Sequence, residues 1–173
     1  MDETKEPAAE AKTEPAKPTL YLETSVPSYL AARSSRDLIV AAHQQITREW
    51  WDKRRGSFAI YVSEVVLFEA GRGDPEPAKQ RLELLSSFAI LDLTPRVAEL
   101  TKTYLDELRI PEPSARDAAH LAFAAAHGID YLLTWNCRHI ANAFVRLRLR
   151  TLNERLGVST PVICTPEELL HVP

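Results

Sequence analysis

Residues 114–136 read SARDAAHLAFAAAHGIDYLLTWN, and this stretch decides the fold. The almost wholly apolar run that follows Asp117 predicts a helix that is covered on more than one side. Ser114 is placed to cap the start of this helix, and Gly128 is placed to end it. The short apolar segment 129–134 is typical of a strand in a parallel sheet. A helix and a strand joined by so tight a turn predict half of a βαβ unit.

The rest of the chain repeats this alternation of strands and helices, which predicts an α/β sandwich with a mostly parallel sheet. The segments with strand character are 19–22, 58–62, 88–93, 129–134 and 162–164. Residues 37–55 are predicted to form a long helix whose apolar stripe holds Leu38, Ala42, Ile46 and Trp50.

The two ends of the chain differ from its middle. Residues 1–18 are rich in Glu, Lys, Pro and Ala, which predicts a disordered tail and leaves 19–173 as one domain. Near the other end, residues 165–168 are expected to cap a short terminal helix. The net charge is −3, of which −2 falls in residues 1–17, so the bulk charge of the remainder does not indicate a nucleic-acid binder.

The cysteines, the lengths of the apolar runs and the missing motifs indicate the cellular compartment and exclude several classes of protein. Cys137 and Cys164 offer no disulfide framework, which fits a reducing cytoplasm. No apolar run is long enough to span a membrane, and the N-terminus lacks the apolar segment of a signal peptide. The sequence also lacks the glycine-rich loops that bind dinucleotides or nucleoside triphosphates, and the Gly-x-Ser-x-Gly elbow of serine hydrolases.

Four polar side chains stand where they can meet at one edge of the predicted sheet. Glu23 follows the first strand, Asn136 follows the fourth, and Asp117 opens the helix beside them. Glu69, which lies amid apolar neighbours, is a fourth contributor. Ligands of parallel sheets bind at the carboxyl ends of the strands. Because a cluster of carboxylates repels itself unless it holds a hard cation, Mg²⁺ or Mn²⁺ is the predicted cofactor.

Two of these acids also have a purely structural interpretation. Glu23 can complement the start of a helix that is capped by Thr24 or Ser25. The pattern Ser114-x-x-Asp117 is that of a capping box, which alone would account for the aspartate. The sequence leaves both alternatives open.

Basic and histidine side chains are weaker signals. The arginines either contact phosphates or form solvated faces and ion pairs; the candidates are Arg116, Arg138, Arg146, Arg148 and Arg150. A helix is favoured through the arginine-rich segment as far as Leu156. His139 lies nearest to the predicted site, whereas His120 and His127 are expected to be packed on a buried helix.

Four segments in register resemble the PIN domain, and among its types the VapC-like toxins of type II toxin–antitoxin systems. They are YLETSVPSYL (21–30), VSEVVLFE (62–69), DAAHLA (117–122) and DYLLTWN (130–136). The resemblance covers about residues 19–170. It implies a three-layer α/β/α fold, an Mg²⁺- or Mn²⁺-dependent ribonuclease, a homodimer, and an antitoxin protein that blocks the site.

Matched motif by motif, the resemblance puts the acidic positions of the family at Glu23, Glu69, Asp117 and Asn136, with Thr24, Ser25 and Thr134 lining the site. Two positions depart from the usual pattern, because Glu23 and Asn136 stand where the family more often has Asp. We therefore expect weaker metal binding than in a four-acid site, with one tightly held ion rather than two. The alternatives are an attenuated PIN-fold module that binds RNA or a protein without cutting, and a structure-specific DNA nuclease.

Overall fold

A parallel five-stranded sheet forms the centre of the fold. The computed structural model describes residues 16–111 and 114–171. The strands are β1 (Thr19–Leu22), β2 (Ala59–Ser63), β3 (Ala89–Leu91), β4 (Tyr131–Leu133) and β5 (Val162–Cys164). They lie in the order β3-β2-β1-β4-β5, and each neighbouring pair is parallel. The strand order reverses between β1 and β4, and a reversal of this kind opens a ligand crevice at the carboxyl ends of the strands.

Helices cover both faces of this sheet. They are α1 (Ser25–Ala31), α2 (Leu38–Lys53), α3 (Glu64–Ala70), α4 (Pro75–Leu85), α5 (Pro95–Leu108), α6 (Ala115–Ala126) and α7 (Ala143–Leu156), with a 3₁₀ turn at Arg55–Ser57. Helix α1 packs against α2 and α4, whereas α5 packs against α6 and α7. Right-handed crossovers produce this division because the chain moves in opposite directions on the two sides of the β1–β4 pair. The predicted three-layer α/β/α fold is confirmed.

The stretch 114–136 folds as a helix, a tight turn and a strand, as predicted. Gly128 takes a φ of +63°, and its N–H donates to the carbonyl of Ala125 (3.2 Å), which closes the end of α6. The predicted cap at Ser114 was wrong, because its side chain makes no cap hydrogen bond. Its backbone (φ −104°, ψ 23°) is not extended as a capping residue requires, and its N–H donates to Pro111 instead.

Helix α2 buries a partly polar face, and the predicted apolar stripe was wrong at Leu38 and Ala42, which are both exposed. Leu38 is the first residue of the helix and is 86% exposed, whereas Gln44 and Thr47 are buried together with Trp50. The Gln44 amide makes hydrogen bonds of 2.9 and 3.0 Å to the loop before the helix. Thr47 accepts a hydrogen bond from the indole N–H of Trp135 (2.8 Å). Burial of the Gln44 amide and the Thr47 hydroxyl is tolerated because both have hydrogen-bond partners.

The arginine-rich segment is helical, as predicted, and forms α7 behind an Asn142 cap. The Asn142 side chain accepts a hydrogen bond from the N–H of Phe144 (2.9 Å). The predicted terminal helix was wrong, because the residues after Thr165 form turns. There the N–H groups donate to carbonyls three residues back, and the Glu168 carboxylate accepts the N–H of Thr165 (2.7 Å).

The predicted tail lies mainly outside the described residues, which begin at Ala16. The last tail residue, Pro18, accepts a hydrogen bond from the N–H of Ala59 (3.0 Å) and so extends the pairing of β1 with β2. Within 16–111 and 114–171, no helix is long and apolar enough to cross a membrane.

Candidate metal centre

Glu23 and Thr134 lie side by side because β1 and β4 are neighbours where the strand order reverses. The Glu23 N–H donates to the carbonyl of Leu133 (3.1 Å), which continues the sheet one residue beyond β1. Glu23 is 5% exposed and Thr134 is fully buried. The sheet backbone therefore fixes the starting points of both side chains.

The Glu23 carboxylate is held through one of its two oxygens. Its Oε2 accepts hydrogen bonds from the Thr134 hydroxyl (2.6 Å), the Ser25 N–H (3.1 Å) and the Ser25 hydroxyl. Among the described residues no hydrogen bond reaches Oε1, so this oxygen is left for another ligand. The structural interpretation of Glu23 is therefore correct in part, because its carboxylate accepts the N–H of Ser25, the first residue of α1. The Thr24 side chain does not cap that helix.

The Glu69 carboxylate is also held through one of its two oxygens, by side chains from α6 and from just after β1. The Thr24 hydroxyl donates to its Oε2 (2.6 Å), and Nε2 of His120 lies 3.0 Å from the same oxygen. The Glu69 side chain is 23% exposed. Helix α3 starts directly after β2, which brings Glu69 to the edge of the sheet where Glu23 lies.

Asp117 lies in the first turn of α6, and its partner is Asn136. The Asn136 amide donates to Asp117 Oδ1 (2.9 Å), and the amide oxygen accepts the N–H of His139 (3.0 Å). The capping-box alternative for Asp117 is wrong, since the Ser114 side chain makes no cap hydrogen bond. Asn136 therefore orients a carboxylate rather than adding a fourth one.

His120 was expected to be a packed histidine, and the structure adds that it belongs to the acidic cluster. It is 1% exposed, and its Nδ1 lies 2.9 Å from the hydroxyl of the fully buried Tyr21. That hydroxyl lies 2.6 Å from Ser63 Oγ. A buried chain of polar groups thus runs from Ser63 to Glu69. The sequence carried a signal for His120, because it stands three residues after Asp117 and so on the same helical face.

The cluster has the donors and the charge that suit a hard cation. Ligand atoms of Glu23, Glu69 and His120 all lie within 4.8 Å of one another. Asp117 lies outside this close group, but it is near enough for its charge to act on His120 and for the charge of Glu23 to act on it. Magnesium and manganese prefer carboxylate oxygens, and each of the three carboxylates keeps one oxygen that accepts no hydrogen bond from a described residue. The donor set therefore fits one such ion.

Burial and charge shift the pKa values of three groups in the cluster. Burial raises the pKa of Asp117, and the opposing charge of His120 and the hydrogen bond from Asn136 do not fully offset it. Burial also raises the pKa of Glu69, but the hydrogen bond and charge of His120 outweigh it and hold that pKa below its usual value. Burial lowers the pKa of His120, yet its bond to Glu69 and the surrounding carboxylates raise it overall. The charges of His120, His139 and Arg116 thus act on these acids from within the protein, and a bound cation would offset the repulsion between the carboxylates further.

Of the predicted arginines, Arg116 lies close enough to the acids for its charge to act on one of them. It follows Ala115 at the start of α6, and its charge lowers the pKa of Glu69. Arg146 lies 3.6 Å from Glu168. In the described part of the chain, no hydrogen bond or ion pair joins the acids to the remaining candidates, which are Arg138, Arg148 and Arg150.

Comparison with known proteins places the fold. The sequence model of the PIN domain matches residues 20–145. VapC20 of Mycobacterium tuberculosis, a toxin that cleaves the sarcin–ricin loop, is 19% identical over 73% of this chain and 96% of its own, with a TM-score of 0.55. VapBC2 of Rickettsia felis, solved with a DNA fragment from the promoter, is 16% identical over 85% of this chain and 98% of its own, with a TM-score of 0.50.

No curated protein matched the sequence of the chain. At identities this low the two solved structures establish the fold alone. The match to the family model establishes more than the fold, because it covers well over half of the chain. The matched residues include Glu23, Glu69, Asp117 and Asn136. The chain belongs to the PIN domain family.

Proposed function

We propose that this protein is a metal-dependent endoribonuclease that hydrolyses RNA phosphodiester bonds, and that it is the toxin of a type II toxin–antitoxin pair. One observation carries the proposal. Glu23 and Glu69 meet where the strand order reverses, and Asp117 lies near enough for the charge of Glu23 to act on it. In each of these carboxylates the protein holds one oxygen and leaves the other without a hydrogen bond from a described residue. Such a set is costly for a folded protein unless a cation completes it.

The residues would share the work as follows. Glu23, Glu69 and Asp117 would hold Mg²⁺ or Mn²⁺, which when bound supplies an activated water and offsets the charge of a phosphodiester. Ser25 and Thr134 orient Glu23, Thr24 and His120 orient Glu69, and Asn136 orients Asp117. These partners matter because a metal ligand must be held within a fraction of an ångström.

The toxin assignment and the partners rest on the family and on its solved neighbours. Both neighbours described above are VapC or VapBC proteins, one of them named as an RNA-cleaving toxin. We propose on this basis that the chain acts in the cytoplasm as a homodimer and binds a cognate antitoxin protein.

Cleavage of a mixed RNA pool with Mn²⁺ tests the enzyme assignment. Asp117→Asn keeps the size of the side chain but removes the charge, so we expect cleavage to fall by at least about 100-fold while the circular dichroism spectrum is unchanged. Asp106→Asn is the matched control, since Asp106 is an exposed residue of α5, and it should cleave as the wild type does. Equal cleavage by both variants would contradict the proposal.

A second candidate function is an attenuated PIN module that binds RNA or a protein partner without cutting. The observation in its favour is the contact of His120 with Glu69 (3.0 Å), because a protonated histidine there would neutralise part of the cluster without a metal. Intact RNA after incubation with any Mg²⁺ or Mn²⁺ concentration, together with measurable RNA binding, would support this second function over the first.

A further inference from the structure

An exposed phenylalanine between two arginines borders the acidic cluster. Phe68, on α3, is 56% exposed. The guanidinium carbon of Arg116 lies 5.1 Å from the centre of its ring, and that of Arg72 lies 5.5 Å away. Cation–aromatic contacts at these distances are attractive, but they leave more than half of the side chain open to solvent.

This aromatic residue lines a depression in the surface of about 380 Å³. Its lining residues are Glu64, Val65, Phe68 and Arg116. Phe68 directly precedes Glu69 in α3, and Arg116 directly precedes Asp117 in α6. The depression therefore lies on the two helices that carry Glu69 and Asp117, and its lining residue Arg116 is near enough to Glu69 for its charge to act on that carboxylate.

The two guanidinium groups contact the Phe68 ring without a salt bridge to an acid. Neither Arg72 nor Arg116 forms an ion pair with an acid within residues 16–111 and 114–171. The acidic cluster itself repels phosphate, so an RNA chain that approaches it must be attracted from beside it. A largely exposed aromatic ring with arginines packed against it is a combination with which proteins bind unpaired nucleotides, because bases stack on aromatic rings and on guanidinium planes while arginines contact phosphates.

We propose that the depression between α3 and α6 receives one unpaired nucleotide of the RNA, with its base on Phe68 and its flanking phosphates on Arg72 and Arg116. The Glu64 carboxylate lines the same depression, and a carboxylate there accepts a hydrogen bond from a base amino group. The subsite thus favours bases that carry an amino group over uracil. This inference rests on the proposed function for the identity of the ligand, but binding at the subsite does not require cleavage.

Binding of a short unstructured RNA, labelled with fluorescein and measured by anisotropy in EDTA, tests the subsite separately from catalysis. Phe68→Ala should weaken binding about 5- to 150-fold, and Phe68→Trp should retain it. Phe144→Ala is the matched control, because Phe144 is 79% exposed on α7 and lines no part of the depression. Arg116→Ala should reduce the slope of log affinity against log salt concentration by about 0.7, whereas Phe68→Ala should leave the slope unchanged.

Several results would overturn the subsite. Wild-type affinity in Phe68→Ala, an equal loss in Phe144→Ala, or no RNA binding by the wild type would each do so. Analytical sedimentation of the same samples tests whether a second copy of the chain occupies the depression instead of RNA. If the wild type is a dimer and Phe68→Ala is a monomer, the depression belongs to a dimer interface. The two proposals fail in different ways. RNA that binds through Phe68 but is never cut refutes the nuclease, and RNA that is cut without any effect of Phe68 refutes the subsite.

Discussion

Removal of one buried hydroxyl, in Tyr21→Phe, tests whether the polar chain behind the acids positions them. The Tyr21 hydroxyl lies 2.6 Å from Ser63 Oγ and 2.9 Å from His120 Nδ1, and all three residues are at most 1% exposed. Phenylalanine keeps the ring and its stacking on Phe123, so only the hydrogen bonds are lost. Loss of a buried hydroxyl that leaves partners unsatisfied costs about 2–3 kcal/mol.

Tyr104→Phe is a matched control for this variant. Tyr104 is also fully buried, and its hydroxyl donates to Asn153 (2.6 Å) away from the acids. Urea unfolding should show a loss of stability in both variants, about 1–3 kcal/mol for Tyr104→Phe. Calorimetric titration with Mn²⁺ should separate them. We expect an affinity about 10-fold lower for Tyr21→Phe, because His120 loses the bond that orients it toward Glu69, and no change for Tyr104→Phe. Equal Mn²⁺ affinities of the two variants would refute the positioning role of Tyr21.

Three further predictions concern charge, backbone and metal affinity. Hydrogen bonds from the N–H and hydroxyl of Thr19 lower the pKa of Asp130. The stability that this contact adds is therefore present above about pH 4 and is lost as the pH falls through the folded-state pKa. Asp130→Ala should unfold at a lower temperature than the wild type at pH 7, and the two unfolding temperatures should converge in acid. Gly128→Ala should destabilise the fold by about 1 kcal/mol in urea unfolding, because an alanine is strained at a φ of +63°. The added carbon would come no closer than 3.9 Å to its nearest tertiary neighbour, so a clash does not add to this cost. Unchanged stability would argue against the backbone strain. Asn136→Asp should raise Mn²⁺ affinity in calorimetry by adding a fourth carboxylate, and equal affinity would count against the three-acid account.

Much of the fold and part of the candidate site could be predicted because their signals are local. Strand and helix alternation appears in the periodicity of short segments. Glu23 directly follows an apolar strand and Asn136 comes shortly after another. Because parallel strands present their carboxyl ends at one edge of the sheet, the pattern predicts that edge for both residues. That the two ends lie side by side depends on the pairing of β1 with β4, which the local pattern does not show.

The rest depended on partners that are distant in the chain. Thr47 can be buried because the indole N–H of Trp135, 88 residues later in the chain, donates a hydrogen bond to its hydroxyl. The helical pattern of α2 does not indicate this partner. His120 was predicted only as a packed residue because its partners Tyr21 and Glu69 come from β1 and α3. In the predicted terminal helix the Glu168 carboxylate does accept the Thr165 N–H, as in a capping box. The backbone N–H groups that follow donate to carbonyls three residues back, so the segment forms turns.

The chemistry of the cut ends of RNA tests the central claim most directly. Hydrolysis by a water molecule leaves a linear monophosphate on one fragment and a hydroxyl on the other, whereas attack by the 2′-hydroxyl of RNA leaves a 2′,3′-cyclic phosphate. We expect the purified chain to produce only linear ends in Mn²⁺ or Mg²⁺ and no fragments in EDTA, with mass spectrometry as the readout. Cyclic phosphate ends, or cleavage that continues in EDTA, would contradict a metal-dependent hydrolysis at Glu23, Glu69 and Asp117.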